Sequence, residues 1–416
     1  MRGETRQWKG MLIPTSAYQI MAVLGMLVLF CLIACSGSDS YFQSGDESGY
    51  FANLELIDRY GVSTEFMRHF SGMAGPLHPI LHWILLPLTG GVPPGIRFVN
   101  FGILLLIFWM FKDEQWYKVV GIPMTFVCGG YAMTELPAMF FLLLSLLLLT
   151  REKTENIFVF MAGLCLSLSV AGRWNYLVLL PIFFLYVVSK SNYSKLRITL
   201  FVFGSLILPA WILYAWQGLT PPEVKGLPGY GLTDINPENF ILSTCFAGMM
   251  VLIISPGWFS VIKLNRKRLF YFSLLLLGNV IFGICKFLPA KALFYNIPPS
   301  AFPLAGQEKW LGALSIVFGT VSIAITLFFL WALYENVVKD PSAEKRFYAI
   351  SIILVLLSTI KITHTFSSRY PYQILPFLLL MLRNDGHKAV RWWELALGVA
   401  GMGWGILSWL SYQHIY

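Results

Sequence analysis

Charge is what this sequence has least of. Of its 416 residues only 12% are Asp, Glu, Lys or Arg, about half the share found in an ordinary soluble domain. So little charge cannot coat a globule in water, and 57% hydrophobic residues with a mean hydropathy of +0.67 exclude a soluble enzyme. Acidic residues are scarcer than basic ones, 21 against 30. Cysteine is scarce too. The six at 31, 35, 128, 165, 245 and 285 lie in or beside apolar runs without metal-ligand spacing, and they read as buried free thiols. There is no internal repeat, no low-complexity linker and no glycine loop of the P-loop or dinucleotide type. No soluble basic domain is left to hold a nucleic acid, so that class of partner is excluded as well.

Long apolar runs are what the sequence has in quantity. A helix needs about 20 apolar residues to cross the hydrocarbon core. Thirteen candidate runs lie near 11–35, 96–111, 119–133, 135–150, 157–171, 175–188, 198–216, 240–262, 269–288, 310–334, 347–362, 371–382 and 394–410. They predict an all-α polytopic membrane protein of about 11–13 transmembrane helices. The expectation is one membrane domain over 1–416, with no soluble C-terminal domain. "LIAC" ending at Cys35 is like a lipoprotein processing box, but the apolar run before it is about twice the length of a signal h-region. It reads as an uncleaved first span.

Basic residues orient these spans. With the N-terminus inside, 20 of the 30 Lys and Arg residues fall in inner loops, at least two in each, as the positive-inside rule requires. The pI near 9.2 is therefore topological. The other ten, Arg59, Arg68, Arg97, Arg173, Lys225, Lys286, Lys291, Lys309, Lys361 and Arg369, map to the outer face against that bias.

The longest outer segment, 36–95, opens with "DESGYFANLELIDRYG". Tyr50, Phe51, Leu54, Leu56 and Ile57 recur at helical spacing with Asp46 and Glu47 near the start, which predicts an amphipathic interfacial helix. Acids in a first turn suit the helix dipole, so capping alone would explain the pair. "GPLHPILHWILLPLTGGVPPG" follows, apolar but broken by prolines, and predicts a re-entrant or interfacial segment around His78. Four further patterns share this face. Glu135 in "TELP" opens a span, where the dipole again favours an acid. Arg173 in "AGRWNY" sits in a short outer turn, where snorkelling is the plain alternative. Lys286 and Lys291 lie at an outer boundary, where lipid phosphates attract cations. "THTFSSRYPYQILP" supplies His364, Arg369, Tyr370 and Tyr372.

Together these suit one chemistry. A carboxylate can serve as general base toward an acceptor hydroxyl, while Arg and Lys hold a phosphate and stabilise the charge developing on it. Asp46, Glu47 and Glu135 could also hold a divalent cation through oxygen ligands; a metal-free base is the equal alternative.

The same residues resemble the integral-membrane glycosyltransferases of the GT-C fold, and among them the protein O-mannosyltransferases and lipid A aminoarabinose transferases. The likeness rests on Asp46-Glu47 followed by Tyr50, "GPLHP" at 75–79, "TGG" at 89–91, Arg97, Glu135, Arg173, and the "RYxxxxLP" of Arg369, Tyr370 and Pro376. Gly75 stands where that family commonly has the first Pro of "PPL", and Met73 and Ala74 stand where a Lys precedes it in the aminoarabinose transferases. The resemblance implies a GT-C-like fold and a polyprenyl-phosphate-sugar donor, with a glycan, lipid or protein as acceptor. It implies multi-pass residence in the cell membrane with an outward active site, periplasmic in a bacterium. Asp46 becomes the base with Glu47 beside it; Arg173, Lys286, Lys291, Arg369 and Tyr370 become donor-phosphate residues; Glu135, His78 and His364 become substrate-facing or acid-pair residues. The main rival is a transporter or flippase of a related lipid-linked solute, which should concentrate ionisable groups near the midplane and show repeats with broken helices.

Overall fold

The computed structural model describes residues 12–36, 45–72, 74–111, 116–151, 155–190, 193–225, 234–262, 265–286, 308–339, 342–362, 366–382 and 389–413. Lys291 and His364, with the side chains of Asp46, Tyr50 and Phe51, lie outside the described residues.

The described chain is helical apart from its loops and one two-stranded ribbon of three residues to a strand. β1 (Leu12–Pro14) leads into α1 (Thr15–Ala34). The first outer loop holds α2 (Gly45–Tyr60), α3 (Thr64–His69), α4 (Leu77–Ile84) and α5 (Leu86–Thr89). Next come α6 (Pro93–Met110), α7 (Trp116–Val119), α8 (Pro123–Gly130), α9 (Glu135–Leu149) and α10 (Asn156–Gly172). α11 (Leu179–Ser189), α12 (Lys195–Trp216), α13 (Pro237–Ile254), α14 (Arg266–Phe282), α15 (Glu308–Lys339) and α16 (Ala343–Ser358) continue the bundle. It ends with α17 (Arg369–Tyr372), α18 (Leu375–Met381), β2 (Ala389–Arg391) and α19 (Trp392–Gln413).

Local chemistry starts these helices where the charges give way to apolar sequence. Ser194, Asn265 and Ser342 each accept the backbone N–H three residues on, and Asn236 the one two residues on, as side-chain N-caps do. Pro93 and Pro94 open α6 at positions that need no N–H partner. Among the described residues five helices are long and apolar enough to cross a bilayer, and α8 with α9 meets the same test only as a pair bent by 105°.

Among the described residues each of the thirteen expected runs contains helix, but only five form single helices long and apolar enough to cross, and two are far too short. The run at 119–133 contains α8, eight residues long and so about 12 Å against a hydrocarbon core of about 30 Å. The run at 371–382 is divided between the four residues of α17 and the seven of α18.

Contacts between distant segments confirm the pairing of faces. On the Lys/Arg-rich face β1 pairs antiparallel with β2, Leu12 opposite Arg391. Lys118 meets Glu394 at 3.4 Å, Tyr186 meets Glu344, and Arg197 meets Asn156. On the opposite face His69 meets Glu223, Trp216 donates to Met67 O, and Asn236 N–H donates to Ile360 O.

Packing is closest where side chains vanish. A Cβ on Gly163 of α10 would lie 2.4 Å from Phe201 O, and one on Gly204 of α12 2.7 Å from Phe160 O, the small-residue contact that membrane helices use. The first outer loop is bound to this core. Gly75, at φ +113°, would set a Cβ 2.3 Å from Ala171 O, and Trp174 N–H donates to Ala74 O at 2.9 Å. α2 buries Asn53 and Ile57 and exposes Glu55, Asp58 and Arg59, the expected amphipathic pattern. α14 exposes Leu269, Phe270, Leu274, Leu277, Ile281 and Phe282, a face suited to lipid.

In a variant with the exposed Cys31 and Cys35 replaced, single cysteines at Glu65 and Glu223 should react with an impermeant maleimide on intact cells. Cysteines at Lys195 and Arg346 should react only after permeabilisation. Labelling of all four on intact cells would overturn the assignment of faces.

Candidate functional site

Where α8 ends, inside the protein, the chain turns through Tyr131, Ala132, Met133 and Thr134 into α9. Backbone at such depth must be satisfied by protein groups, and the groups that do so form the site.

The first is Glu47. One position after Asp46 in the first turn of α2, it is fully buried, and Arg97 near the start of α6 grips it with two parallel bonds. Nη2 donates to Oε2 at 2.6 Å and Nε to Oε1 at 3.1 Å. Ala132 N–H donates to the same Oε1 at 2.7 Å. The Arg97 guanidinium lies 4.8 Å above the Tyr131 ring, which stacks on Trp409 of α19. A buried charge tolerates this position only because it is paired and hydrogen-bonded on both oxygens.

The second is Glu135, buried at the first position of α9, 3.3 Å from Arg173 Nη1. Arg173 ends α10 and also donates to Thr134 Oγ1 at 2.9 Å. Gln373, oriented with its amide oxygen toward Arg173, accepts from Nη2 at 2.8 Å and Nε at 3.2 Å and donates to Asn175. Arg369, at the start of α17, donates from Nη1 to Met133 Sδ and from Nε to Ser367 Oγ, both at 3.2 Å. Tyr370 has both guanidinium groups near its ring, Arg173 at 5.8 Å and Arg369 at 5.9 Å from the ring centre. Residues from five remote stretches of sequence thus meet at one bend: Glu47, Arg97, Glu135, Arg173, and Arg369 with Tyr370.

The third group is a histidine pair. His78 and His82, one turn apart on α4, are buried with ring centroids 4.2 Å apart in an edge-on contact. His78 faces the Ala132 backbone. Burial lowers the pKa of both, with His82 adding to the effect on His78, and takes His82 down to about 3. Both rings are therefore neutral near neutrality.

One expected residue does not join this cluster. Lys286 is exposed after α14, its backbone N–H beside Glu238, and touches neither arginine. Of the acidic residues, Glu47 is held by Arg97 and by Ala132 N–H, and Glu135 lies 3.3 Å from Arg173 with neither carboxylate oxygen hydrogen-bonded; among the described residues no three His, Cys, Asp or Glu are grouped to hold an ion. Asn100, Thr134, Asn175, Gln373 and His82 were not singled out in the sequence. The spacing Arg97–Asn100, a polar residue one turn from an outer-face arginine inside a span, was the available signal.

Comparison with known proteins adds little to this geometry. No family model matches the chain, and no curated protein matches it. Among solved structures it is similar to ArnT from Cupriavidus metallidurans in the apo state. The alignment covers 96% of this chain and 77% of that one at 11% identity, with a TM-score of 0.42. No residue-by-residue correspondence follows from a likeness at that level.

The histidine pair predicts an acid limit. An unfolded imidazole titrates near 6.5 while folded His82 stays neutral down to about 3. Stability is thus full above about pH 6.5 and falls as pH drops from there, by about 1 kcal/mol per pH unit for each such group. His82→Phe should roughly halve the acid slope of the thermal midpoint, leaving the contribution of His78. A wild-type slope in a folded His82→Phe protein would show that His82 is not held neutral.

Proposed function

We propose that this protein is a GT-C-type glycosyltransferase that moves a sugar from a polyprenyl-phosphate carrier to an acceptor at the outer membrane face. One observation carries the reading: two buried guanidinium groups, Arg173 and Arg369, converge on Tyr370 beside the end of the acidic outer loop. Two planar forks at the bilayer edge are suited to a phosphate carried on a lipid.

In this reading the acceptor oxygen attacks the anomeric carbon of the sugar. The bond from that carbon to the phosphate oxygen breaks, and its electron pair leaves with polyprenyl phosphate. Arg173 and Arg369 stabilise the charge gathering on that leaving group. Asp46 takes the acceptor proton. Glu47 has a different task. Its carboxylate is saturated by Arg97 and Ala132 N–H, so it anchors the first turn of α2 and leaves the base role to its neighbour. Glu135 holds Arg173 in place at 3.3 Å.

The broken α8–α9 pair is also a feature of transporters. Glycosyl transfer remains the better account, because Glu47–Arg97, Glu135–Arg173 and Arg369 gather at one bend and the sequence has no repeat. Lipid-linked sugar crossing vesicle membranes without any transfer product would favour transport.

The two adjacent carboxylates should separate by experiment. Asp46→Asn, an equally good helix-start residue, should insert and melt like wild type yet lose about 10²–10⁴-fold in transfer rate. Glu47→Gln strands the buried Arg97 charge and should cost about 3–5 kcal/mol of stability. A fully active Asp46→Asn protein would remove the base assignment.

Arg369→Lys exchanges a planar fork for a point charge. It should raise the donor KM about tenfold or more, as loss of a charge-assisted bond implies, with the unfolding midpoint little changed. Unaltered donor kinetics in this variant would reject the phosphate role of Arg369.

A further inference from the structure

Asn100 is fully buried on α6, one helical turn after Arg97, so the two side chains leave one face of the helix. Its Nδ2 lies 2.7 Å from Met133 O, 2.8 Å from Tyr131 O and 3.4 Å from Cys128 O. The need for such a donor follows from how α8 ends. The last carbonyls of a helix lack intrahelical partners, and in the membrane interior no water replaces them. Tyr131 N–H takes Val127 O, Trp409 Nε1–H takes Gly130 O, and Asn100 takes Cys128 O together with the two carbonyls of the bend.

The bend is therefore held from α6 by two routes. Asn100 grips its carbonyls directly, and Arg97 grips its Ala132 N–H through Glu47. The same four residues present Met133 Sδ to Arg369 and Thr134 Oγ1 to Arg173.

We propose that Asn100 is a positioning residue of the donor-phosphate site. Its amide sets the course of the 131–134 backbone, and Met133 and Thr134 carry that setting to the Arg369 and Arg173 forks. The proposal rests on the reading of those arginines as phosphate ligands. An amide suits the place because it offers two N–H groups without charge. A carboxylate would face three carbonyl oxygens, and an aliphatic chain would leave Met133 O without this donor.

The test measures binding of a long-chain polyprenyl monophosphate to the purified full-length protein, with the matching phosphate-free polyprenol as control. Asn100→Ser keeps one donor and should lose roughly threefold to tenfold in affinity for the monophosphate, and Asn100→Leu more than about tenfold, since small misplacements of binding groups are costly. Affinity for the polyprenol should not move, whereas a purely structural defect would lower both. In an Arg369→Lys background Asn100→Ser should add less than about twofold, because residues acting through one another are not additive.

If Asn100→Leu fails to fold, Met133→Leu tests the other end of the link. It conserves volume, removes the sulfur acceptor, and should weaken monophosphate binding while leaving polyprenol binding alone. Wild-type monophosphate affinity in folded Asn100→Ser or Met133→Leu overturns the proposal, as do losses that simply multiply with Arg369→Lys. If the wild type holds polyprenol as tightly as monophosphate and Arg369→Lys changes nothing, the functional reading itself fails.

Discussion

The buried pair of Glu47 and Arg97 is the interaction on which the site depends. It joins the first outer loop to α6, and through Ala132 N–H it joins both to the bend between α8 and α9. Two charges at this depth carry a large desolvation cost, which close geometry and further hydrogen bonds must offset. Here both carboxylate oxygens are engaged and the guanidinium rests on an aromatic face. Such a pair contributes less to net stability than to fixing one arrangement over its alternatives. The arrangement it fixes is the one that brings Arg173 and Arg369 to the ring of Tyr370.

Adjacency in sequence gives Asp46 and Glu47 equal standing, and helical geometry removes that equality. Successive residues of a helix point about 100° apart, and it is Glu47 that the register of α2 buries against Arg97. Nothing in "DESGY" reveals which of the two faces inward. That depends on where Arg97 lies in space, fifty residues along.

The fold was legible because hydrophobicity and Lys/Arg placement act over whole segments. Thirteen runs became helices, and contacts such as β1 with β2 and His69 with Glu223 respect the expected faces. The grouping of Arg173, Glu135, Arg369 and Tyr370 was also legible, since each stands at the end of a helix. What the sequence hid was the course of the chain inside apolar stretches. Val119 to Met133 looks like one more span, and only the carbonyl acceptors at Cys128, Gly130 and Tyr131 reveal a helix that stops short. Asn100 and Gln373 were hidden for the same reason: a lone amide in a span has no pattern until its partners are placed.

The bond from Trp409 to Gly130 O spans 279 positions of the chain, and it orders events during synthesis. At roughly 5–20 residues per second, α8 waits on the order of a quarter to a full minute for α19. Until then the Gly130 carbonyl, the Tyr131 hydroxyl and the edge of β1 must find temporary partners, in the translocon or in already inserted helices. The site is thus assembled in the order of its supports: the outer loop and α6 first, the arginines next, the closing helix last. A nascent chain halted before α19 would hold nearly all of the chemistry and lack the piece that seals it.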